Sequence, residues 1–229
     1  MVADIDPGGA NTVAERCSGR DFTVDVLDHS SVDALAAQVE AAEGPVHAMA
    51  YMAAIFAPQI PPESLPMDVW DRISAVSYRG TYVSNVAFGR RMAAHGGGSI
   101  VNVSSIAGRH PNHGHAYASA KAAINSLTEG MAGEWGRSRV RVNAVTPGFV
   151  AVPRMVANIR EGKRYPVSPA ELSALGRLVE PSEVGEAVAF LLSDRASAIT
   201  GANLAVDAGV LATSGWVVHG GVPDARTRD

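Results

Sequence analysis

The sequence predicts an α/β domain built on a mostly parallel sheet with helices on both faces. Three observations carry that expectation. Short apolar runs alternate with longer helical stretches, the pattern of repeated strand–helix units. Glycine (23 residues) and alanine are abundant while aromatic residues make up only 6%, which suits close helix–sheet packing. A length of 229 residues with 47% hydrophobic content fits one globular domain.

Residues 1–5 read as a strand that enters a turn at Asp6-Pro7-Gly8-Gly9, followed by a helix over 10–17 and a strand over 22–26. Asp28, Ser30 and Ser31 are capping residues for a helix over 32–42, which Gly44-Pro45 breaks. A buried strand is expected over 46–55. Pro58, Pro61, Pro62 and Pro66 keep the next loop extended. A long helix spans 67–95 with a break near 76–79, and Gly96-Gly97-Gly98 ends it. The remaining elements are a strand over 99–104, a helix over 117–135, a strand over 140–145, a mobile lid over 153–178, a helix over 181–193 and a last strand over 203–206. Residues 1–212 form the domain, and 213–229 are a C-terminal extension.

With 19 basic and 23 acidic side chains the net charge is −4, which gives no electrostatic case for nucleic acid. Cys17 is the single cysteine, so no internal disulfide forms and a reducing, cytoplasmic setting is expected. No apolar run reaches the ~18–20 residues of a membrane span. The first residues lack the basic and then apolar segments of a signal peptide.

The sharpest chemical signal is Ser105, Tyr117 and Lys121. Tyr117 and Lys121 are four apart on one helix, so they share a face. A lysine ammonium beside a phenol favours the phenolate and lowers the tyrosine pKa from ~10, making it usable as an acid or base near neutral pH. Ser105, at a strand end, is placed to bond the same substrate oxygen.

These residues sit in stretches that resemble the short-chain dehydrogenase/reductase family: GSIVNVSSIAG at 98–108, YASAK at 117–121, RVNAVTPG at 141–148, GRLVEPSEV at 176–184, and ITG at 199–201 through VDAG at 206–209. The resemblance covers residues 1–212 and implies a three-layer Rossmann-type sheet, a nicotinamide cofactor and hydride transfer at an alcohol or carbonyl carbon. By that resemblance Tyr117 is the acid/base, Lys121 lowers its pKa and binds the nicotinamide ribose, and Ser105 orients the substrate oxygen. Asp4 matches the ribose-selecting acid, and Asp25 and Val26 the adenine pocket. Both acids also read as turn residues.

The departures from the family are as informative as the matches. The family opens with a strand and a glycine-rich turn that sets the pyrophosphate on a helix N-terminus. Residues 1–4 match its second strand, so that first unit is expected to be missing. The family's Asn-Asn-Ala-Gly becomes Tyr51-Met52-Ala53-Ala54, its active-site Asn becomes Ser77, and a cofactor-touching Thr becomes Val152. The expectation drawn from these changes is a redox-independent enzyme that isomerises, dehydrates or cyclises a small molecule, with no cofactor. One alternative is a truncated NAD(P)-dependent alcohol dehydrogenase that binds NAD. The other is a non-catalytic partner of a full-length homologue.

Further candidates surround this core. His113 and His115, in the loop before Tyr117, are candidate substrate contacts or a second acid/base, and no metal site is expected there. Tyr51, Met52 and Ser77 could fill the space of a nicotinamide, or be plain core residues. Met155, with Val156, Ile159, Tyr165 and Val167, points to an apolar, bulky substrate. The small-residue helix faces at 78–88 and 122–131 point to a homodimer or homotetramer paired through the long helices. The segment 214–221 reads as a β-branched strand that replaces the missing one.

Overall fold

The computed structural model describes residues 1–110, 112–162, 165 and 167–225. All of its strand pairs are parallel. Strand β1 (Val2–Asp4) pairs with β2 (Asp21–Thr23), with Val2 opposite Asp21. Helix α1 (Pro7–Arg16) connects them, with proline at its first turn and the Asp6 carboxylate accepting from the Gly8 amide at 3.1 Å. Helix α2 (His29–Glu43) begins the same way, with Asp28 accepting from the Ser30 amide at 2.9 Å.

A second sheet carries β3 (Ala48–Tyr51), β4 (Gly98–Val103), β5 (Val140–Pro147) and β6 (Asn203–Val206), in that order. Ala48 lies opposite Ser99, Gly98 opposite Val140 and Ala144 opposite Asn203. The two central strands are buried almost throughout, as expected for a parallel sheet covered on both faces.

Between β3 and β4 the chain runs through α3 (Met67–Ser74), a π-helical turn (Ala75–Arg79) and α4 (Gly80–Ala94). The break expected near residues 76–79 is therefore a π turn, which leaves the helix continuous. Helix α5 (His115–Trp135) follows β4, α6 (Pro153–Glu161) and α7 (Pro181–Leu192) follow β5, and the short α8 (Val210–Thr213) follows β6.

One core joins α2, α4 and α5 to the sheet through Leu35, Val39, Phe88, Met92, Met131, Ile100 and Val142. A second packs Val184, Val188 and Leu191 of α7 on Val101 and Val145 from the other side. The three-layer α/β expectation holds.

The strands form two groups: among the described residues no ladder joins β1–β2 to β3–β6, the gap expected where the family's first strand would lie, and both groups pack on the side-chain core that includes Val24, Val26 and Met49. Two expectations need correction. Residues 214–221 form no strand. Trp216–His219 is a 3-10 turn, because the backbone turns left-handed at Gly220 and Gly221 and folds the segment back on itself, with the Gly221 amide bonded to the Trp216 carbonyl at 2.9 Å. The expected lid opens with the helix α6, started by Pro153 in its first turn. Among the described residues, no helix is long and apolar enough to cross a membrane.

Candidate active site

Strand β4 delivers two serines to its C-terminal end. Ser104 turns inward and donates to the Lys121 carbonyl at 3.0 Å, locking the strand end to α5. Ser105 caps a 3-10 turn, Ile106–Gly108, by accepting from the Ala107 amide at 3.2 Å. That turn lies flat on α5 because residue 108 has no side chain: a Cβ there would sit 2.6 Å from the Lys121 carbonyl carbon. These contacts set the Ser105 hydroxyl on the Tyr117 side of the strand end, close enough to draw the tyrosine pKa down.

Lys121 lies behind the tyrosine, 2% exposed, and its Nζ donates to the Val103 carbonyl at 2.6 Å. No carboxylate pairs with it, and burial pushes its pKa down to about 8. The Nζ is 5.5 Å from the centre of the Tyr117 ring.

The expected effect of Lys121 on Tyr117 needs correction. Burial holds the Tyr117 phenol above its ordinary value; the Ser105 hydrogen bond and the Arg154 charge pull it down only in part. One Lys121 donor goes to a backbone carbonyl, and desolvation of the phenol outweighs the groups that favour its charged form.

Spacing alone did not reveal what covers this tyrosine. The Phe56 ring stacks on the Tyr117 ring, with centres 5.1 Å apart and planes at 22°. The Arg154 guanidinium lies over the same Phe56 ring, 4.3 Å from its centre. Phe56 comes from the loop after β3 and Arg154 from the first turn of α6, so only the tertiary fold brings them together.

Beside Ser105 an apolar cleft of about 190 Å³ opens, lined by Ile106, Ala107, His110, Phe149, Leu172, Leu211 and Val217 among others. Phe149 directly follows the Pro147-Gly148 turn, a placement that could have marked it.

The other expected residues scatter. His113 is exposed and His115 is half-buried at the first residue of α5; it is His110 that lines the cleft. Met155 is half-buried on α6, outside the residues that line the cleft. Tyr51 is a core residue whose hydroxyl donates to the Val76 carbonyl of the π turn at 2.7 Å, and burial raises its pKa. The absent side chain at Gly80 makes room for that hydroxyl. Ser77 is fully buried and accepts from the Ile55 amide at 3.4 Å, tying the Phe56 loop to the helix. Met52 is 60% exposed. Among the described residues, no three His, Cys, Asp or Glu side chains cluster as metal ligands would.

The fit to a nicotinamide dinucleotide is uneven. Lys121 Nζ has three donors and spends one on Val103, leaving two for ribose hydroxyls beside Tyr117. Asp4 and Asp25 stand at the ends of β1 and β2, where an adenosine ribose would lie, each also accepting a local amide. The N-terminus of α1 carries the Asp6 carboxylate, which repels a pyrophosphate. The described residues thus suit the two ribose ends and offer no anion cradle between them.

Comparison with known proteins now decides the family. The family profile described as enoyl-(acyl carrier protein) reductase matches residues 1–211. Galactitol 2-dehydrogenase (L-tagatose-forming) of Cereibacter sphaeroides is 38% identical over 193 residues, which are 82% of this chain and 74% of that protein. The chain belongs to the short-chain dehydrogenase/reductase family.

Two solved structures bear on the site of this family member. A Brucella melitensis protein described as ribose-5-phosphate isomerase superimposes with a TM-score of 0.93 at 42% identity, over 97% of this chain and 86% of its own. A gluconate 5-dehydrogenase from Burkholderia cenocepacia, in complex with NADP and tartrate, gives 0.84 at 26% identity over 92% and 84%. The dehydrogenases among these relatives favour redox chemistry over the cofactor-free expectation.

Proposed function

We propose that this protein interconverts a secondary alcohol and its ketone with a nicotinamide dinucleotide. The observation that carries this reading is the Ser105–Tyr117 hydroxyl pair with buried Lys121 behind it, in a chain whose relatives include sugar-alcohol and sugar-acid dehydrogenases. The dinucleotide, when bound, gives or takes the hydride. This chain's own residues handle the oxygen. The Ser105 hydroxyl donates to it, and the Tyr117 hydroxyl gives or takes its proton.

Because burial keeps Tyr117 in the phenol form, the protein is set to protonate a ketone oxygen near neutral pH. Alcohol oxidation needs the phenolate, so it should speed up as pH rises. Lys121 contributes donors for the ribose and a positive charge close to the developing oxyanion. The apolar part of a small substrate lies in the cleft between Ile106, Phe149 and Leu211.

The test is direct. Nucleotide-free protein is given NAD or NADP and a panel of secondary alcohols, and reduced nicotinamide is followed. Turnover with wild type, and none with an equally stable Tyr117→Phe variant, is expected. Binding should also raise the melting temperature, since ligand at a hundred times Kd stabilises by ~2.7 kcal/mol.

A second reading is favoured by two observations: the Asp6 carboxylate on the N-terminus of α1, and the likeness to a protein described as an isomerase. In that reading Tyr117 moves a proton within a hydroxycarbonyl substrate and no net oxidation occurs. Conversion of such a substrate without nucleotide, and no response to NAD or NADP, would establish it in place of the first.

A further inference from the structure

The guanidinium of Arg154 stands one aromatic ring away from the proposed acid/base, and among the described residues no carboxylate pairs with it. A cation that a protein leaves unpaired on an exposed helix usually points into water. This one sits over a ring that is itself stacked on Tyr117. The stack orders a side chain that would otherwise be free to rotate. A cation–π contact consumes no N–H group, and no hydrogen bond from Arg154 to another described residue is formed, so its donors remain available.

We infer that Arg154, held on Phe56, is the anchor for an oxyanion on the substrate, a carboxylate or a phosphate placed a few bonds from the carbon that reacts at Tyr117. The inference rests on the reading of Tyr117 as the group that meets the substrate oxygen.

Several features support it. The planar fork of an arginine matches both oxyanions with two parallel hydrogen bonds. Two acids of the neighbouring segments are otherwise engaged: Asp207 accepts from the Gly209 and Leu211 amides at 2.9 and 2.8 Å, and Glu183 pairs with Arg177 at 2.7 Å. Arg154 also pulls the Tyr117 pKa down, which shows that its charge is felt at the reacting hydroxyl. An anion that neutralises it would let that pKa rise, so an anionic ketone would be met by a still better proton donor.

Phe56 is 52% exposed, an unfavourable place for a phenyl ring unless it serves a contact. Here it is the ledge that sets the height of the cation above the tyrosine. Phe56 is thus a positioning residue that acts through Arg154, and Arg154 is the group that meets the substrate anion.

Binding, not turnover, tests this, so the outcome stays separate from the question of hydride transfer. Titration calorimetry would use 3-hydroxybutanoate, 4-hydroxypentanoate and 5-hydroxyhexanoate, each beside its uncharged methyl ester and the alkyl phosphate of matching length. The expected result is that one acid or phosphate binds at least tenfold more tightly than its ester. Arg154→Gln should remove that preference and leave ester binding unchanged, Arg154→Lys should retain part of it, and Phe56→Ala should weaken it with Arg154 still present. Tighter binding of the phosphate than of the acid identifies a phosphate as the natural group, and the reverse identifies a carboxylate. Equal binding of charged and uncharged partners across the series overturns the inference. So does an Arg154→Gln variant that loses affinity for NAD or NADP and keeps its affinity for the hydroxy acids, because the arginine would then serve the dinucleotide. If the charge preference is found but no hydride transfer is, the anchor stands and the redox reading falls.

Discussion

Replacing Lys121 with methionine removes an amine that the fold keeps almost wholly from water. The side chain is 2% exposed, with a backbone carbonyl as its hydrogen-bond partner, and burial lowers its pKa from 10.5 to about 8. Below about pH 8 the folded and unfolded chains both carry the proton, and the folded state bears the full cost of a buried charge. Between about pH 8 and pH 10 the unfolded chain binds more protons than the folded one, so stability rises with pH. A gap of about two units corresponds to roughly 2–3 kcal/mol gained from pH 7 to pH 10. Methionine has similar length and no titration, so the variant lacks that gain. Groups that titrate alike in both proteins cancel in the difference. Urea denaturation at pH 7, 8, 9 and 10 and constant ionic strength measures it. The stability of wild type relative to Lys121→Met should climb by the stated amount, about one molar in midpoint for a urea slope of ~2 kcal/mol per molar. Parallel curves across the range would show that the amine is solvated in the folded protein, and the reasoning about this site would fail.

Ser105→Ala should lower kcat/KM by an amount equivalent to ~1–3 kcal/mol, because one donor to the developing oxyanion is lost. It should also move the alkaline limb of the pH–rate profile upward, since the serine bond helps hold the tyrosine pKa down. Gly108→Ala sets a methyl group against the backbone of α5 and should cost ~1–3 kcal/mol in thermal denaturation while displacing Ser105 and reducing activity. Ending the chain after Thr213 removes Ser214 and Val217 from the cleft wall but no strand, so KM should rise in steady-state assays while the melting temperature hardly changes.

The spacing of Ser105, Tyr117 and Lys121 was readable because two of the three lie on one helix and the third ends a neighbouring apolar strand. The order of strands and helices up to β5 was equally legible, down to the interruption near residue 76, whereas the helix Pro153–Glu161 was read as a lid. What spacing cannot carry is depth. That Lys121 is buried, and that burial outweighs its effect on the tyrosine, depends on Val103 and Ser104 closing over it from another element. Phe56 and Arg154 were missed for the same reason: nearly a hundred residues separate them, and neither belongs to a motif. The tail was misread because Trp216, Val217 and Val218 have strand-forming side chains, whereas the paired glycines after them favour a backbone that no strand adopts.

The π turn at Ala75–Arg79 works as a phase shifter. Each residue of an α-helix advances the side-chain direction by ~100°, so the wider turn here changes which face the following residues present. Upstream, Ile73 points to the cluster of Ala57 and Ala116 against which Tyr117 packs; downstream, Ala87, Phe88 and Met92 point to the main core, and Arg90 reaches Asp33 at 2.6 Å. A single-residue deletion within 75–79 that restored ordinary helical winding would rotate one of these faces out of alignment with the other. Such a change would cost far more than its size implies, because it acts on both faces at once through the winding of the helix. In this chain the winding of those five residues, more than any one side chain among them, keeps the two parts of the interior in step.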